Sequence, residues 1–315
     1  LSTENSISLK LIDKLFFYLI LFYLIIFIGF RHDVGGDWVI YLRNYNFYLN
    51  SNFSINEYFT IVGKEYLFAL INYFVIKYDL SLYFLNLISA FISIFFLALF
   101  LKKIEYKYLA LFILFPVYIV ICLMGFTKQS IATSIVFYAS TFLLKNQNIK
   151  FVFFILISSL FHISSLITLL FLGYLLKNLN FKNVIFITII IILSLIIYII
   201  EFKAISKLLY IYLTSENLQN NFDGDNPTGA YFRIMPTVLC SIIYLIYRNY
   251  LNLNKKENDV LTYLSYLTII LFFVSFYSIV VIDRVFYYLI FLQVIIIVKM
   301  IYNFNYSTIS IILKL

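Results

Sequence analysis

Residues 15–37 read LFFYLILFYLIIFIGFRHDVGGD. The first sixteen are apolar or aromatic apart from one glycine, which suits a helix inside the ~30 Å hydrocarbon core of a membrane. The last seven, from Arg31 to Asp37, combine charge with two glycines and follow the apolar stretch directly. Charged residues at the edge of a bilayer are costly unless they serve a purpose. We therefore expect a membrane helix that ends in a functional motif.

The rest of the chain has the same apolar composition. Of its 315 residues, 63% are hydrophobic and only 12% are charged, whereas soluble domains are roughly 45–50% apolar and about 25% charged. The apolar segments are long and lack the alternating pattern of barrel strands. We predict an all-α integral membrane protein with a single polytopic domain over 1–315. Residues 15–30 should stay as its first transmembrane helix, because they lack a small-residue cleavage site.

Short loops rich in lysine and arginine mark the cytoplasmic side of a membrane protein. The basic clusters of this chain are Lys10 and Lys14, Lys102 to Lys107, Lys145 and Lys150, Lys177 and Lys182, and Arg248 to Lys256. All of them can be cytoplasmic at once if the chain crosses the membrane about ten times. The crossings would then lie at 11–30, 80–101, 108–125, 130–144, 150–162, 163–176, 184–200, 231–248, 260–279 and 285–302.

This threading leaves 31–79 and 201–230 as long outer loops. Residues 64–78 are apolar but would break the pattern as a crossing, so we expect a helix at the outer interface there. Residues 150–177 allow either one long helix or a hairpin that turns at His162. Only the hairpin keeps both flanking lysine clusters inside. Its arms are then too short to cross fully, which would recess the His162 turn below the outer surface.

Several classes of function are disfavoured by the same patterns. The net charge of +8 comes from lysines in short loops, so no nucleic-acid partner is expected. Cys122 and Cys240 lie in apolar segments without the spacing of a metal site or a redox pair, and we interpret both as packing residues. No nucleotide-binding glycine pattern is present. The active surface should face away from the cytoplasm.

The motif after the first span is the first candidate site. If the residues after Asp37 are helical, Asp37 and Tyr41 share one face, and Gly35 with Gly36 lets the chain turn back towards the bilayer. Such a loop can direct Arg31 into the helix bundle. The alternative is an interfacial anchor, with aromatic rings in the headgroup region and solvated charges.

Basic residues at outer helix ends form the second candidate set. Lys128 begins a predicted helix, where exposed N–H groups and the helix dipole would favour a phosphate; alternatively it only extends to the headgroups. Arg233 opens a later span, and Arg284 lies in the tight outer turn expected between the last two spans. A guanidinium binds phosphate oxygens bidentately. The alternative is structural, with an Asp283–Arg284 pair or arginine bonds to the backbone.

His162 is the third candidate. A lone histidine on an apolar helix is more often a hydrogen-bonded core residue than a catalyst. In a recessed turn, however, a neutral imidazole is well suited to take a proton from a hydroxyl near neutral pH. The chain has only two histidines, and His162 is the preferred general base.

Taken in order, these patches resemble motifs of the EpsG-type branch of the Wzy polysaccharide polymerases. The family's first motif, an arginine followed by Val-Gly-x-Asp and a tyrosine, is matched by Arg31, Val34, Gly35, Asp37 and Tyr41, although an extra glycine, Gly36, stands where the variable residue goes.

Later motifs extend the resemblance over most of the chain. An Arg-Gln-x-Ile/Leu-Ala element corresponds to Lys128, Gln129, Ile131 and Ala132, a Phe-His-x-Ser element to Phe161, His162 and Ser164, and an arginine-plus-tyrosine helix to Arg284 with Tyr287 or Tyr288. Lysine at the start of the second element keeps the charge but loses the bidentate fork of the usual arginine.

The resemblance implies an integral-membrane glycosyltransferase of the GT-C kind in the bacterial inner membrane. It would act outside the cytoplasm on undecaprenyl-diphosphate-linked oligosaccharides, without nucleotide sugar, metal or cofactor, and with membrane lipid and a chain-length regulator protein as partners. The roles implied are general base for His162, or less favoured for Asp37; diphosphate binding for Arg31, Lys128, Arg233 and Arg284; and substrate binding for Tyr41, Gln129 and Tyr288.

Other functions use the same features. An O-antigen ligase would share the donor and the chemistry but take lipid A as acceptor. A flippase or transporter would bind the diphosphate without bond cleavage, but transporters usually carry internal repeats, and the sequence shows none. A membrane acyltransferase is disfavoured because His162 has no acidic residue near it in the sequence.

Overall fold

The computed structural model describes residues 2–49, 54–62, 65–178, 228–251, 253–276 and 279–303, and these residues form helices and connecting turns without a strand. The predicted all-α membrane class is confirmed. The chain divides into two compact units, the first formed by Leu1–Ser165 with Val294–Leu315 and the second by Leu166–Gln293. The prediction of one polytopic domain over the whole chain stays a prediction.

The first unit contains eight α-helices and a π-helical segment among the described residues. They are α1 Ser2–Gly29, α2 Trp38–Leu49, α3 Ile55–Val62, α4 Tyr66–Lys77, α5 Leu82–Leu101, α6 Lys107–Leu114, the π-helix Phe115–Leu123, α7 Thr127–Leu144 and α8 Asn148–Ser159. The span predicted at 108–125 is therefore α6 continued by a π-helix. Pro116 lies at its start, where a missing N–H removes one regular helical hydrogen bond.

Helix α7 lies at the centre of the first unit, with fourteen of its eighteen residues buried. Small and hydroxyl-bearing residues line its contacts with α5 and α8, and they let helix backbones approach closely where lipid offers no hydrophobic driving force. Ser93 of α5 meets Ser130 of α7 at 3.5 Å between their hydroxyl oxygens. Ser158 of α8 donates to the carbonyl of Ala132 at 3.0 Å. The close packing fixes the start of α7, which carries site residues.

Charged residues at one end of the first unit connect α1, α5 and the last described helix, Ile290–Asn303. Lys102, just after α5, donates to the Tyr18 hydroxyl of α1 at 2.9 Å, and Lys107 pairs with Asp13. Glu105 pairs with Lys299 at 3.2 Å. We call this the basic end of the unit. The start of α5 and the end of α1 lie at its opposite end, so the predicted clustering of these lysines on one side of the bundle is consistent with the packing.

The second unit consists of helices from the later part of the chain. They are the 3₁₀-helix Ile163–Asn178, which starts three residues before the boundary, α9 Thr228–Tyr247, a short 3₁₀ turn Arg248–Tyr250, α10 Lys255–Val274, α11 Ile279–Tyr287 and the start of α12 Ile290–Asn303, which belongs to the first unit from Val294 on. Helices α11 and α12 are bent by 45° at their junction. Ile234, Val238, Ile282 and Phe286 form a core between α9 and α11.

The stretch 150–177 is broken at His162, as the hairpin hypothesis requires. Helix α8 ends at Ser159 and the 3₁₀-helix begins at Ile163, so the alternative of one continuous helix is wrong. A 3₁₀-helix rises about 2.0 Å per residue against about 1.5 Å for an α-helix. The second arm is therefore longer than we expected, and only α8 is clearly too short to cross a bilayer.

Within the described ranges, four helices are long and apolar enough to cross a membrane, and the bent pair of α11 and α12 would be a fifth. The four lie at Lys10–Gly29, Leu82–Leu101, Gly229–Tyr250 and Lys255–Val274. Helix α4 was predicted at 64–78, and its location at the membrane interface stays a prediction. The crossing at 184–200 and most of the loop 201–230 lie outside the described residues. The count of ten crossings stays a prediction.

Candidate functional site

The segment between α1 and α2 lies against the loop that precedes α7. Gly35 has a φ of +95°, and a Cβ there would lie 2.5 Å from both the carbonyl oxygen of Met124 and the Cα of Gly125. Only glycine satisfies both the positive φ and this close backbone approach. At Gly36 a Cβ would meet nothing within 4 Å. The extra glycine of the motif is therefore not required by this packing.

Arg31 is buried where that segment meets α5 and α7. Only 7% of its surface is exposed. Its Nη1 donates to the carbonyl of Leu123 at 2.8 Å, and its Nη2 donates to the side-chain oxygens of Asn86 and Thr127 at 3.2 and 2.7 Å. Its Nε is buried without a hydrogen-bond partner among the described residues. All three bonded acceptors are uncharged, so these bonds orient the guanidinium without neutralising it.

The environment of Arg31 leaves it cationic. Burial lowers its pKa to about 10, and the nearby Asp37 and Tyr41 partly oppose this shift. A group with that pKa remains protonated at neutral pH. A buried positive charge is expensive unless an anion accompanies it. The position therefore suits an anionic ligand, and the phosphate-binding role expected from the sequence stays a prediction.

A carboxylate that the sequence did not single out connects two predicted site residues. Glu65 immediately precedes α4. Its Oε1 lies 2.5 Å from Nδ1 of His162 and accepts from the backbone N–H of Ile163 at 3.3 Å. Its Oε2 accepts from Nζ of Lys128 at 2.8 Å. We call Glu65, His162 and Lys128 the charged triad.

The charged triad holds Glu65 ionised despite its burial. Burial by itself would raise the pKa of Glu65, but the hydrogen bond from His162 and the charges of His162 and Lys128 outweigh it and lower the pKa to about 2. The backbone adds support, since the N–H of Leu67 donates to the carbonyl of Leu160 at 3.0 Å. That bond ties the start of α4 to the turn that carries the histidine.

The charged triad selects one tautomer of His162. An ionised carboxylate accepts hydrogen bonds and cannot donate them. The Nδ1 of His162 must therefore carry the proton that faces Glu65, and Nε2 is the nitrogen that can accept a proton. The histidine side chain is 28% exposed, so it is not sealed in the core. A carboxylate-oriented imidazole of this kind can act as a general base.

This contact corrects one inference from the sequence. We disfavoured a membrane acyltransferase because His162 has no acidic neighbour in the sequence. The structure supplies that partner from 97 positions away, so the objection is wrong. Sequence distance carries no information about contacts that tertiary packing creates.

Tyr41 and Asp37 lie beside the charged triad. The backbone N–H of Tyr41 donates to the carbonyl of Asp37 at 3.0 Å, so the two residues share a helical turn as predicted. The Tyr41 ring meets Phe68 edge-on at 5.7 Å between centroids. Burial and the neighbouring carboxylates of Asp37 and Glu65 raise its pKa well above the usual value. Tyr41 is thus a neutral phenol that can donate a hydrogen bond.

The start of α7 carries the second motif. Lys128 is the second residue of that helix, as predicted, and its Nζ also lies 5.4 Å from the centroid of the Phe68 ring. Nζ of Lys128 already pairs with Glu65, so a phosphate bound there would share the positive charge of the lysine with that carboxylate. Gln129 is buried in the same turn.

The remaining predicted residues belong to the second unit. Arg233 of α9 forms a bidentate pair with Asp283 of α11, through Nε–Oδ1 at 3.0 Å and Nη2–Oδ2 at 2.8 Å. The structural pairing that we considered therefore occurs, but with Arg233 in place of Arg284. Arg284 lies in the last turn of α11 and is half-buried. Its predicted location in a tight turn between spans is wrong, because the helix starts earlier than expected. Tyr288 is fully buried after that helix.

The first unit thus brings together Arg31, Asp37, Tyr41, Lys128 and His162 at the end opposite the basic end. The link from Arg31 runs through Thr127 to the adjacent Lys128, and from there through Glu65 to His162. We call this end the site end. Within the described ranges, no three histidine, cysteine, aspartate or glutamate side chains come together as a metal site.

Sequence reasoning missed Glu65, Asn86 and Thr127. Each is a single polar residue in or beside an apolar segment, and such residues in membrane proteins usually find a polar partner. An isolated polar residue in an apolar segment was therefore the signal that could have indicated them. It does not identify the partner residue: Lys128 and His162 are both more than sixty positions from Glu65 in the sequence.

Comparison with known proteins agrees with the motifs. No curated protein and no solved structure matches the chain. The model of the EpsG family matches residues 14–315, a range that includes all the residues of the site end. The resemblance inferred from the sequence motifs is therefore confirmed. The chain belongs to the EpsG family, a family of membrane proteins of polysaccharide synthesis with glycosyltransferase-like activity.

Proposed function

We propose that this protein polymerises undecaprenyl-diphosphate-linked oligosaccharide repeat units on the outer face of the cytoplasmic membrane. The observation that carries the proposal is the pairing of His162 with Glu65 at the same end of the bundle as the buried cation Arg31. His162 held by Glu65 is suited to take a proton from a hydroxyl group, and the guanidinium of Arg31 is suited to bind a diphosphate. Family membership supplies the setting of polysaccharide synthesis.

The reaction transfers a growing chain from one lipid carrier to another. A hydroxyl oxygen of the incoming lipid-linked unit attacks the anomeric carbon of the sugar that joins the growing chain to undecaprenyl diphosphate. A new glycosidic C–O bond forms while the bond between that carbon and the diphosphate oxygen breaks. The products are a chain longer by one unit, on the acceptor's lipid, and undecaprenyl diphosphate.

In this mechanism the hydroxyl proton goes to Nε2 of His162. Glu65 holds Nδ1–H and stabilises the imidazolium that forms, while remaining ionised itself. General base catalysis of this type typically accelerates a reaction by about 10²–10⁴-fold. Asp37 is the alternative base. It is half-buried next to Tyr41, and it does not have the neutral nitrogen that His162 offers.

The leaving diphosphate needs its charge held as the bond breaks. Arg31 is the best-placed group for this, since its bonds to neutral oxygens preserve its positive charge. Lys128 contributes a charge that it shares with Glu65. Arg284 is the candidate from the second unit. Arg233 could take part only if the diphosphate displaced Asp283 from its bidentate pair, so we rank it below the others. Tyr41, Gln129 and Tyr288 are proposed to contact the sugars or the diphosphate.

The proposal is tested by incubating the purified full chain in nanodiscs with lipid-linked repeat units from its host. Products are separated on a gel. We expect a ladder of bands that differ by one repeat unit, together with release of undecaprenyl diphosphate. Transfer of the saccharide to lipid A, supplied in a second reaction, with no ladder in the first would identify a ligase. Binding of the lipid-linked unit without any bond cleavage would identify a transporter.

The Glu65–His162 contact also favours a second candidate, a membrane acyltransferase, because such enzymes need an activated hydroxyl as well. Arg31 argues against it, since an acyl donor need not present a diphosphate at a buried cation. The same purified protein is incubated with long-chain acyl donors and with oligosaccharides released from their lipid carrier. We expect no acylated sugar. Acylated product without a ladder would replace the polymerase proposal.

A further inference from the structure

A second concave site lies beside α2, next to Trp38 and Tyr45. It is a cavity of about 370 Å³ between α2 and the turn that joins α4 to α5, within the ~300–1,000 Å³ range of small-ligand sites. Its lining includes His32, Trp38, Tyr45, Asp79, Ser81 and Tyr83. All six belong to the first unit. None is part of the charged triad.

Aromatic rings form one wall of this cavity. Trp38 meets His32 edge-on at 5.4 Å between centroids and lies 5.9 Å from Tyr83. Nδ1 of His32 and the Tyr83 hydroxyl are hydrogen-bonded at 2.5 Å. Only 8% of the Trp38 surface is exposed, so its ring is held firmly. Ring faces carry partial negative charge, which attracts the weakly positive C–H groups on the face of a sugar.

Polar groups line the opposite side. Asp79 adopts the left-handed conformation, with φ +50°, in the turn between α4 and α5. Its carboxylate lies near Tyr45, and burial together with this carboxylate raises the pKa of Tyr45. Ser81, at the N-cap of α5, makes no capping hydrogen bond with its side chain. Carboxylate and hydroxyl oxygens at these positions suit a ligand rich in hydroxyl groups.

The charge of the cavity argues against a phosphate. It contains a carboxylate, and among the described residues no lysine or arginine lines it. A diphosphate would be repelled by Asp79, whereas a neutral polyol would use it as an acceptor. We propose that this cavity is a subsite for one sugar residue of the oligosaccharide, separate from the charged triad where the bond forms. The inference rests on the proposed function for the choice of a saccharide among neutral ligands rich in hydroxyl groups.

A subsite in this position would serve the reaction by orientation. Helix α2 carries both Tyr41, beside the charged triad, and Trp38 and Tyr45, in the cavity. A sugar held in the cavity by this rigid element would fix the rest of an oligosaccharide relative to the charged triad. Binding energy gained at a distance from the reacting carbon then contributes to positioning it.

The chain offers a direct reporter, because Trp38 is its only tryptophan. The full-length protein in detergent is titrated with oligosaccharides released by mild acid from the lipid extract of its host, which carry no lipid and no phosphate. Tryptophan emission is recorded. We expect a saturable change. The Asp79→Asn variant should raise the half-saturating concentration by about tenfold or more, since a hydrogen bond to a charged group is lost.

The test variant Asp79→Asn and its control, Asp33→Asn, replace residues with the same left-handed backbone conformation. Asparagine tolerates the left-handed region well, so Asp79→Asn should fold normally. Asp33 also has a positive φ, of +48°, and does not line the cavity, so Asp33→Asn is the control and should titrate like the wild type. The Tyr83→Phe variant should weaken binding independently. Equal titrations of wild type, Asp79→Asn and Tyr83→Phe would overturn the inference.

The outcome is separable from the proposed function. A ladder in the polymerase assay with no tryptophan response to the saccharides would leave the polymerase intact and overturn the subsite. A tryptophan response without a ladder would support the subsite and refute the polymerase. Undecaprenyl diphosphate alone should not change the emission. A response to it, and none to the saccharides, would assign the cavity to the diphosphate and contradict the inference.

Discussion

Two glutamate–lysine pairs lie at opposite ends of the first unit and differ in what surrounds them. At the site end, Glu65 pairs with Lys128 at 2.8 Å, and the Glu65 side chain is 16% exposed. At the basic end, Glu105 pairs with Lys299 at 3.2 Å, and the Glu105 side chain is 37% exposed. Helix α5 lies between these ends, and its twenty residues extend over about 30 Å.

The difference lies in how each carboxylate is held. An exposed ion pair is largely solvated and contributes little to stability, as expected for Glu105. A buried carboxylate is expensive unless several partners hold it, and Glu65 has three donors around it. These donors keep Glu65 ionised in a position where it orients His162, which is the arrangement that the proposed base requires.

The largest expected effect follows from replacing the histidine of the site end. His162→Gln can still hydrogen-bond to Glu65 but cannot take a proton at neutral pH. We expect the rate of ladder formation to fall by about 10²–10⁴-fold, while binding of the lipid-linked donor persists. Rate and binding are measured on the same preparation. A normal ladder would make His162 a structural residue and Asp37 the leading base.

The next effect compares the two glutamates directly. In Glu65→Gln the amide can donate to Nδ1 of His162, which leaves the proton on Nε2 and removes the base. We expect roughly a 10²-fold loss of rate or more. The matched change Glu105→Gln at the basic end should stay within about twofold of wild type. Equal effects of the two changes would mean that the site end differs from the basic end only in exposure.

A smaller effect concerns stability and pH. The pKa of Glu65 is lowered to about 2 in the folded protein. A carboxyl group with a depressed pKa stabilises the fold above its unfolded value, near 4.5, and this contribution is lost as the pH falls from there towards 2. The shift corresponds to a free energy on the order of 3 kcal/mol. Thermal unfolding in detergent should therefore show wild type and Glu65→Gln converging below pH 4. A constant difference down to pH 2.5 would contradict this ionisation.

The smallest effect is expected for Lys128→Arg. An arginine can keep both the ion pair with Glu65 and the contact with the Phe68 ring, and it restores the residue usual in the family's motif. Ladder formation should stay within about threefold of wild type. A loss comparable to that of Glu65→Gln would show that the ammonium geometry itself matters. Lys128 would then be more than a partner of the buried carboxylate.

The sequence predicted the helical class, the positions of most helices and the break at His162, because apolar periodicity and basic loops are local signals. It also predicted that Arg31 would follow the first helix and that Lys128 would lie at the start of a later one, as the structure has them. It could not predict that Glu65 would meet His162, since that contact joins residues 97 positions apart. For a similar reason the sequence did not predict that Asp283 would pair with Arg233. That pair depends on how two helices pack, whereas Arg284 is only the neighbour of Asp283 in the sequence.

One error came from assuming a regular helix. The 3₁₀-helix at Ile163–Asn178 rises more per residue than an α-helix, so the length that we counted for the second arm was too short. Its sixteen residues exceed the short runs typical of 3₁₀-helices. Its conformation could not be inferred from composition.

The central claim is that Glu65 acts through His162, and a double-mutant cycle tests it most directly. Rates of single-unit addition are measured with radiolabelled acceptor for wild type, Glu65→Gln, His162→Gln and the double variant. Once the base is gone, its orienting carboxylate has nothing left to contribute. The account predicts that the double variant reacts at the rate of His162→Gln alone. Losses that multiply would contradict it, because Glu65 would then contribute to the reaction independently of the histidine.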